Sequence, residues 1–435
     1  MPVPEPAASR HGACWLRAVS LAPALLLVLL LALFGTAGPV RADWPQILGP
    51  ARDGAADAGE LPDRLPDSPK PKWSFPVGQG YAGPAVADGS VYLFDRVEDE
   101  ERLVALDRAT GKVRWEQRFA TDYRGGVDPD AGPRCVPTVQ GANVLILGPG
   151  GALRCLDTTD GHQRWSHDLQ KELGGKQGYF GMGSSPIVVG DRALVNVGGA
   201  EGAGVVGFAL RDGKLLWKSA PDDASYSSPV LLQSEPEPLA VFVTRLQLQV
   251  LEPATGRVVF RQPFGARGPT VNASAPVVVG DHLFLTASYG VGAMLVRWNG
   301  DDSRIVWRND ESLSSQYNTP LHHNGYLYGI HGREDVGQAE LRCIEALTGR
   351  VAWQVPGFGV AHLVRAKDRM LILKVDGTLV TSPLDPQRFG GDQPGATTRV
   401  SQHTTRALPA LSQGQLFLRD NQGGQGTLMC IDLNP

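Results

Sequence analysis

The stretch LVALDRATGKVRW, residues 103–115, decides the fold. Leu103, Ala105 and their alternating neighbours read as a strand with one buried face. Asp107 can hydrogen-bond to nearby backbone and open a tight turn, and Gly111 can take the positive φ that closes it. Val113 and Trp115 then resume the alternation on a second strand, Trp115 bringing the largest apolar surface of the unit. The stretch reads as a β-hairpin with a large aromatic at a fixed place.

The same unit recurs along the chain, each time preceded by a strand that follows a proline and by a second strand. The first repeat begins at Pro84 and ends at Trp115. The second runs from Pro137 to CLDTTDGHQRW and Trp165, and the third from Pro186 to GFALRDGKLLW and Trp217. In the fourth, Pro229 leads to VLEPATGRVVF, with Phe260 in place of tryptophan. The fifth runs from Pro276 to Trp307 through a degraded turn at residues 299–303, and the sixth from Pro320 to CIEALTGRVAW and Trp353. The seventh, residues 362–384, is weak. The eighth starts at Pro409 and stops at Asp432, where its turn and aromatic strand should follow.

An unmatched strand carrying Trp73 precedes the first repeat. If it supplies the outer strand of the last, a ring closes. An open stack would leave two unpaired edges, whereas a ring leaves only short outer ones. The aromatics Trp73, Trp115, Trp165, Trp217, Phe260, Trp307 and Trp353 recur at the period of a four-stranded propeller blade. The expected fold is all-β: an eight-bladed β-propeller of four-stranded blades over residues 72–435, closed by the N-terminal strand around Trp73.

The hairpin pattern Ala-x-Asp-x-x-Thr-Gly-Lys-x-x-Trp, complete at Ala105, Asp107, Thr110, Gly111, Lys112 and Trp115, resembles the docking motif of the PQQ-like, quinoprotein-type propeller repeat family. The opening Trp44-Pro45-Gln46, Gly49-Pro50 and Arg52-Asp53-Gly54 looks like the lead-in of exported bacterial members. The resemblance implies that the seven aromatics wedge between adjacent blades as structural blade-docking residues. One branch of the family oxidises alcohols or sugars with pyrroloquinoline quinone and calcium, many members carrying a vicinal cysteine pair over the quinone. This chain has no adjacent cysteines and no long cofactor-building insertion. It is closer to the BamB-like branch, which uses the same ring as a protein-binding scaffold without cofactor.

Other candidates are weighed on their chemistry. His322, His323 and His331, with Glu334 or Asp335, could hold a metal only if they converged, and the first two are adjacent on a strand. Ser184, Ser185, Ser227, Ser228 and Ser274 precede inner-strand prolines and should face the central channel, but no nucleophile elbow accompanies them. Asp128, Asp130, Asp222 and Asp223 read as solvated turns rather than calcium ligands. The glycines around 174–175 and 198–204 precede no helix, so phosphate cradling is not indicated. Asn272 opens a formal glycosylation sequon that reads as a chance occurrence. Tyr123, Tyr179 and Tyr226 read as exposed loop aromatics or, equally, as packing residues, and Cys155, Cys343 and Cys430 as small core residues in the register of Ala105.

Composition agrees with many short strands and turns: 53 Gly and 33 Pro in 435 residues, 42% of them hydrophobic. A net charge of -4 with no basic cluster argues against nucleic acid as a partner. Residues 1–42 read as a signal peptide, with Arg10 and Arg17 before an apolar run and Val40-Arg41-Ala42 as the cleavage site. An uncleaved N-terminal anchor is the alternative. Residues 43–71 read as an extended strap with Trp44 as an anchor. The expected function is that of an exported, non-catalytic scaffold that binds a protein or other ligand in the cell envelope, with no catalytic, cofactor or metal residues. The alternatives are a quinone-dependent dehydrogenase and an envelope-polysaccharide binder.

Overall fold

The structure is a computed structural model and describes residues 1–4, 43–56, 61–62, 64–300, 302–391 and 395–433. Beyond its first four residues, the expected signal peptide lies outside the described residues. Eight antiparallel sheets follow one another as blades. In blade 1 the order from channel to rim is Ala85–Ala87, Ser90–Val97, Glu100–Asp107 and Val113–Ala120. The hairpin forms as its residues dictate. The Asp107 carboxylate accepts from Thr110 N (3.0 Å), Thr110 Oγ1 (2.8 Å) and Arg114 (2.7 Å). Those bonds, the Arg114 one foremost, hold its carboxyl down to about 2. Gly111 N donates to Asp107 O, and Gly111 sits at φ +68°.

A one-residue irregularity in register precedes every docking aromatic. It falls between Ala105 and Leu106 in blade 1 and at the matching place in blades 2 to 6 and 8. Such a bulge re-aims the side chain that follows it. Here the ring reaches the next blade. The indole N–H donates to a backbone carbonyl of that blade: Trp115 to Thr158, Trp165 to Leu210, Trp217 to Pro253, Trp307 to Ala346 and Trp353 to Asp385. The ring also lies against the turn glycine of the next blade. A Cβ on Gly161 would stand 2.5 Å from the Trp115 ring, and one on Gly111 2.6 Å from Trp73. Phe260 has no N–H to donate. It meets Trp298 edge-on at 6.0 Å, where blade 5 has Ser303 at the place of the repeat's turn glycine.

Directly across from each docking aromatic sits a residue of the neighbouring strand. Ala105, Cys155, Gly207, Cys343 and Cys430 face Trp115, Trp165, Trp217, Trp353 and Trp73. The three cysteines therefore fill core space. Burial pushes their thiols up, to about 12 for Cys155 and Cys343 and about 11 for Cys430.

The ring closes as the repeat count requires. Pro71–Val77 pairs antiparallel with Gly426–Asp432, placing Trp73 opposite Cys430, and Trp73 donates to Arg108 O of blade 1. Blade 7 departs from the repeat. Its outer strand is the short Thr397–Arg399, which carries no aromatic, and its inner strand Ala361–Ala366 gains a fifth, parallel partner in Ala55–Ala56. Leu61 and Leu65 are buried in one apolar cluster with residues of blades 7 and 8, and Thr398 donates to Asp67 O. The segment before Trp73 thus covers the joint that lacks a docking aromatic.

Residues 43–56 are not an extended strap. They turn back on themselves inside the channel, with Gly49 N donating to Gln46 O, Arg52 N to Gly49 O and Gly54 N to Leu48 O. Trp44 bridges Val86 of blade 1, Val139 of blade 2 donates to Pro45 O, and Ala55 and Ala56 reach blade 7. Arg52 is 3% exposed and donates to Pro229 O (2.9 Å), Pro186 O, Ser185 O and Thr138 Oγ1. Desolvation pulls its guanidinium well below the usual value, and five neutral oxygens, these four and Gln46 Oε1 at 2.8 Å, hold its protons in place. The segment is a plug pinned to the inner strands of blades 2, 3 and 4.

Candidate functional site

Each inner strand is entered through a loop that ends in a fixed register. The residue three before the inner-strand proline is Tyr81, Arg134, Gly183 or Tyr226 in blades 1 to 4. It is Ala273, Tyr317 or Arg406 in blades 5, 6 and 8. All seven line one cavity of about 1320 Å³ at the mouth of the channel opposite the hairpin turns. Ile47 of the plug and Leu408 contribute to its apolar lining, and loops of blades 5 and 6 add Tyr289, Arg333, Glu334 and Asp335. Eightfold repetition therefore turns one sequence position into a ring of side chains around a funnel.

The funnel is electrostatically uneven, with the guanidiniums of Arg134, Arg333 and Arg406 set among the carboxylates of Asp128, Asp310, Glu334 and Asp335. Arg134 and Arg406 sit over the Tyr81 ring, at 5.3 and 5.1 Å from its centroid, and Arg134 also faces Phe180. Asp128 stands 3.6 Å from Arg134 and 3.9 Å from Arg406. Arg406 bonds Glu334 at 2.9 Å, and Tyr317 donates to the other oxygen of Glu334 at 2.7 Å. Burial alone would lower the Arg406 guanidinium, but Glu334 outweighs it and raises it. Burial, with Glu334 alongside, pushes the Tyr317 hydroxyl far up, so it stays a neutral donor.

His362 sits beside this network. Nε2 contacts Arg406 O at 2.7 Å and Nδ1 contacts Asn318 Nδ2 at 3.3 Å. The neutral ring protonated on Nε2 satisfies both, donating to the carbonyl and accepting from the amide. A second proton would face the Asn318 amide donor. Desolvation, aided by Arg406, lowers His362 to about 4 against Glu334 and the Arg406 carbonyl. The unfolded chain takes up this proton near 6.5, before the folded one does. Stability from this group is therefore complete above pH 6.5 and declines as pH falls toward 4, by up to about 3 kcal/mol. His322, His323 and His331, also lowered by burial, act in the same direction. Urea titrations at pH 7 and pH 4.5 should show the loss, and His362→Gln should remove most of it. An equal loss in the variant would refute the assignment.

The structure separates the histidines weighed as ligands. His322 and His323 pair with Leu327 and Tyr326, while His331 lies four residues beyond Leu327, roughly 13 Å along the strand. His331 accepts from Ser314 N at the funnel, near Glu334 and Asp335, and the other two lie at the far end of the blade. The serines knit neighbouring inner strands: Ser184 donates to Ser227 O, Ser185 to Val136 O, and Ser228 accepts from Ser185 N. Ser274 donates to Ala275 O within its own strand entry. Asn272 is 1% exposed and its amide donates to Thr244 O and Arg245 O, so the sequon is inaccessible. Gly174 caps the one-turn helix Leu169–Leu173, an element the repeat pattern did not announce, and Gly198 and Gly204 close a hairpin. Tyr123 is buried rather than exposed, its own backbone carbonyl bonded by the buried Arg96 guanidinium. Tyr179 is exposed, and Tyr226 is half-buried in the funnel.

A quinone–calcium pair asks for several oxygens free to converge on one ion. The funnel carboxylates are already committed: Asp128 to Arg134 and Arg406, Glu334 to Arg406 and Tyr317, Asp335 to Arg333, and Asp310 to the Ser314 hydroxyl. Asp130 accepts from Gly80 N and Gly132 N, Asp222 from Thr244 and Leu246 N, and Asp223 pairs with Lys176. Among the described residues no three His, Cys, Asp or Glu side chains are grouped to hold a metal. The donor set does not fit quinone with calcium.

Comparison with known proteins agrees with the ring. The family model described as "Outer membrane protein assembly factor BamB" matches residues 65–228, 99–355 and 239–434. The outer membrane protein assembly factor BamB of Yersinia pestis is 23% identical over 298 residues, covering 66% of this chain and 74% of that protein. The crystal structure of BamB from Moraxella catarrhalis superposes with TM-score 0.59 at 14% identity, over 82% of this chain and 96% of that one. The quinohemoprotein alcohol dehydrogenase from Comamonas testosteroni gives 0.63 at 12%, over 92% and 82%. At these identities both structures speak to the fold alone.

Proposed function

Because this chain belongs to the family described as outer membrane protein assembly factor BamB, we propose that it is an exported, non-catalytic propeller that holds a protein partner in the bacterial cell envelope. It works without quinone or calcium. The observation that carries the reading is the family match, which runs from residue 65 to residue 434 and takes in all eight blades. Exposed apolar side chains support it: Val127, Tyr179 and Val336 around the funnel, and Leu215, Leu216, Ile305 and Val306 on outer strands. Exposed apolar residues that occur together mark surfaces that other molecules cover. The signal peptide is removed after Ala42, so Asp43 becomes the mature N-terminus.

A photo-crosslinking amino acid placed in turn at Val336, Val127, Leu216 and Ile305, in cells, tests the partner. A discrete adduct with an envelope protein is expected from at least one of the two surfaces. Adducts from none of the four positions would overturn the scaffold reading. Titrating the mature chain with pyrroloquinoline quinone and calcium, read by quenching of its tryptophans, should give no saturable binding. Micromolar saturation with dye-linked turnover of alcohols would instead move the chain to the dehydrogenases.

A further inference from the structure

We infer that the funnel is a binding site for a neutral oligosaccharide. Three guanidinium–carboxylate pairs surround it: Arg134 with Asp128, Arg406 with Glu334, and Arg333 with Asp335. The pairs cancel one another, and the fourth carboxylate of the lining, Asp310, is bonded by the Ser314 hydroxyl, so the site offers no attraction to an anion and, among the described residues, no group of converging carboxylates to a cation. A wholly apolar ligand is also disfavoured, because it would strip water from three ion pairs without replacing the lost hydrogen bonds. What the pairs present is donors beside acceptors, repeated around the wall. A sugar hydroxyl donates and accepts at once, so it matches such a pair at both ends.

The second observation is aromatic. Five rings face the same space: Tyr81, Phe180, Tyr226, Tyr289 and Tyr317. They are held rather than loose. Arg333 lies 4.2 Å over the Tyr289 ring, Gln316 bonds the Tyr289 hydroxyl at 2.9 Å, and the Tyr226 hydroxyl accepts from Phe180 N at 2.7 Å. Fixed rings with one apolar face suit the C–H faces of pyranose units at little cost in side-chain entropy. The cavity, about 1320 Å³, exceeds the roughly 300–1,000 Å³ of a drug-sized site. It therefore suits several linked sugars rather than one. The plug closes the far end of the channel, so a chain end enters from the funnel mouth and does not thread through. The inference is independent of the protein partner proposed above.

The test uses the mature chain, residues 43–435, against an array of neutral glucose-, mannose- and N-acetylglucosamine-based hexasaccharides, followed by calorimetry on any hit. Saturable binding of at least one neutral class is expected. Glu334→Gln keeps the shape but breaks the Arg406 pair, and Tyr289→Ala removes a ring at the mouth. Each should weaken binding about tenfold or more, the loss of one charged hydrogen bond or one ring contact. Asp212→Asn, on a distant hairpin, should leave binding unchanged, and melting curves establish that each variant folds. Silence across the neutral sugars at millimolar concentration would overturn the inference. So would binding confined to acidic sugars, or binding that both funnel variants leave intact.

Discussion

Trp73→Ala is expected to lower the free energy of unfolding by about 3–5 kcal/mol, the cost of truncating a buried tryptophan. Trp73 is 8% exposed, donates to Arg108 O and lies under Gly111. It shares these features with Trp115 and Trp165, but its joint differs from theirs. The strand Pro71–Val77 is held to Gly426–Asp432 by backbone pairing and the exposed Lys72–Asp432 ion pair, with no short connection between them. Losing the aromatic therefore frees an outer strand to fray and exposes Leu428 to Ile431 as an unpaired edge. Trp217→Ala sits within a continuous blade, in a half-buried position, and should cost less. Urea titration of both variants in the mature chain checks this, with hydrogen exchange at residues 426–432 as the local readout. Equal losses with no added exchange there would sink the closure account.

Arg52→Met is expected to cost a similar amount, about 3–5 kcal/mol, for a different reason. The guanidinium is buried among the Ser185, Pro186 and Pro229 carbonyls and the Thr138 hydroxyl. Methionine fills the space but takes the donor from the Pro229 and Ser185 carbonyls, while Pro186 O keeps the Thr138 hydroxyl, at about 1–3 kcal/mol for each acceptor that water cannot reach. The loss should appear first in the plug: amides of residues 43–56 should exchange faster while blade cores stay protected. Arg52→Lys keeps the charge but not the planar fork, and should fall between wild type and Arg52→Met. Unchanged melting and unchanged exchange in Arg52→Met would show that the plug is held by Trp44 and Ala55–Ala56 alone.

The funnel was only half legible. Its charged and aromatic ring lies at one repeat position, three residues before each inner-strand proline, and that alignment is present in the sequence. Nothing in the spacing of Tyr81, Arg134, Tyr317 and Arg406, however, reveals that they meet. They stand 53 to 183 residues apart from one to the next, and only closure of the ring brings Arg134 and Arg406 to the same tyrosine. The serines, read as facing the channel, are buried in bonds between neighbouring inner strands, and of the two readings of Tyr123 the structure takes the packing one, because burial depends on contacts that only the folded ring makes. Nor could the seventh blade announce its substitute joint, since Leu61 and Leu65 pack there from more than 300 residues away in sequence.

By itself the sequence determined the hairpin, its count and the closing strand. Those rest on local physics: alternation, an Asp-initiated turn, a glycine with positive φ and an aromatic at a fixed place, repeated at one period. The tertiary structure alone decided that residues 43–56 plug the channel, that Arg52 ties three blades, and that each funnel guanidinium pairs with a carboxylate. These are contacts between segments with no fixed separation along the chain. Burial and distance set their energies, and periodicity carries neither.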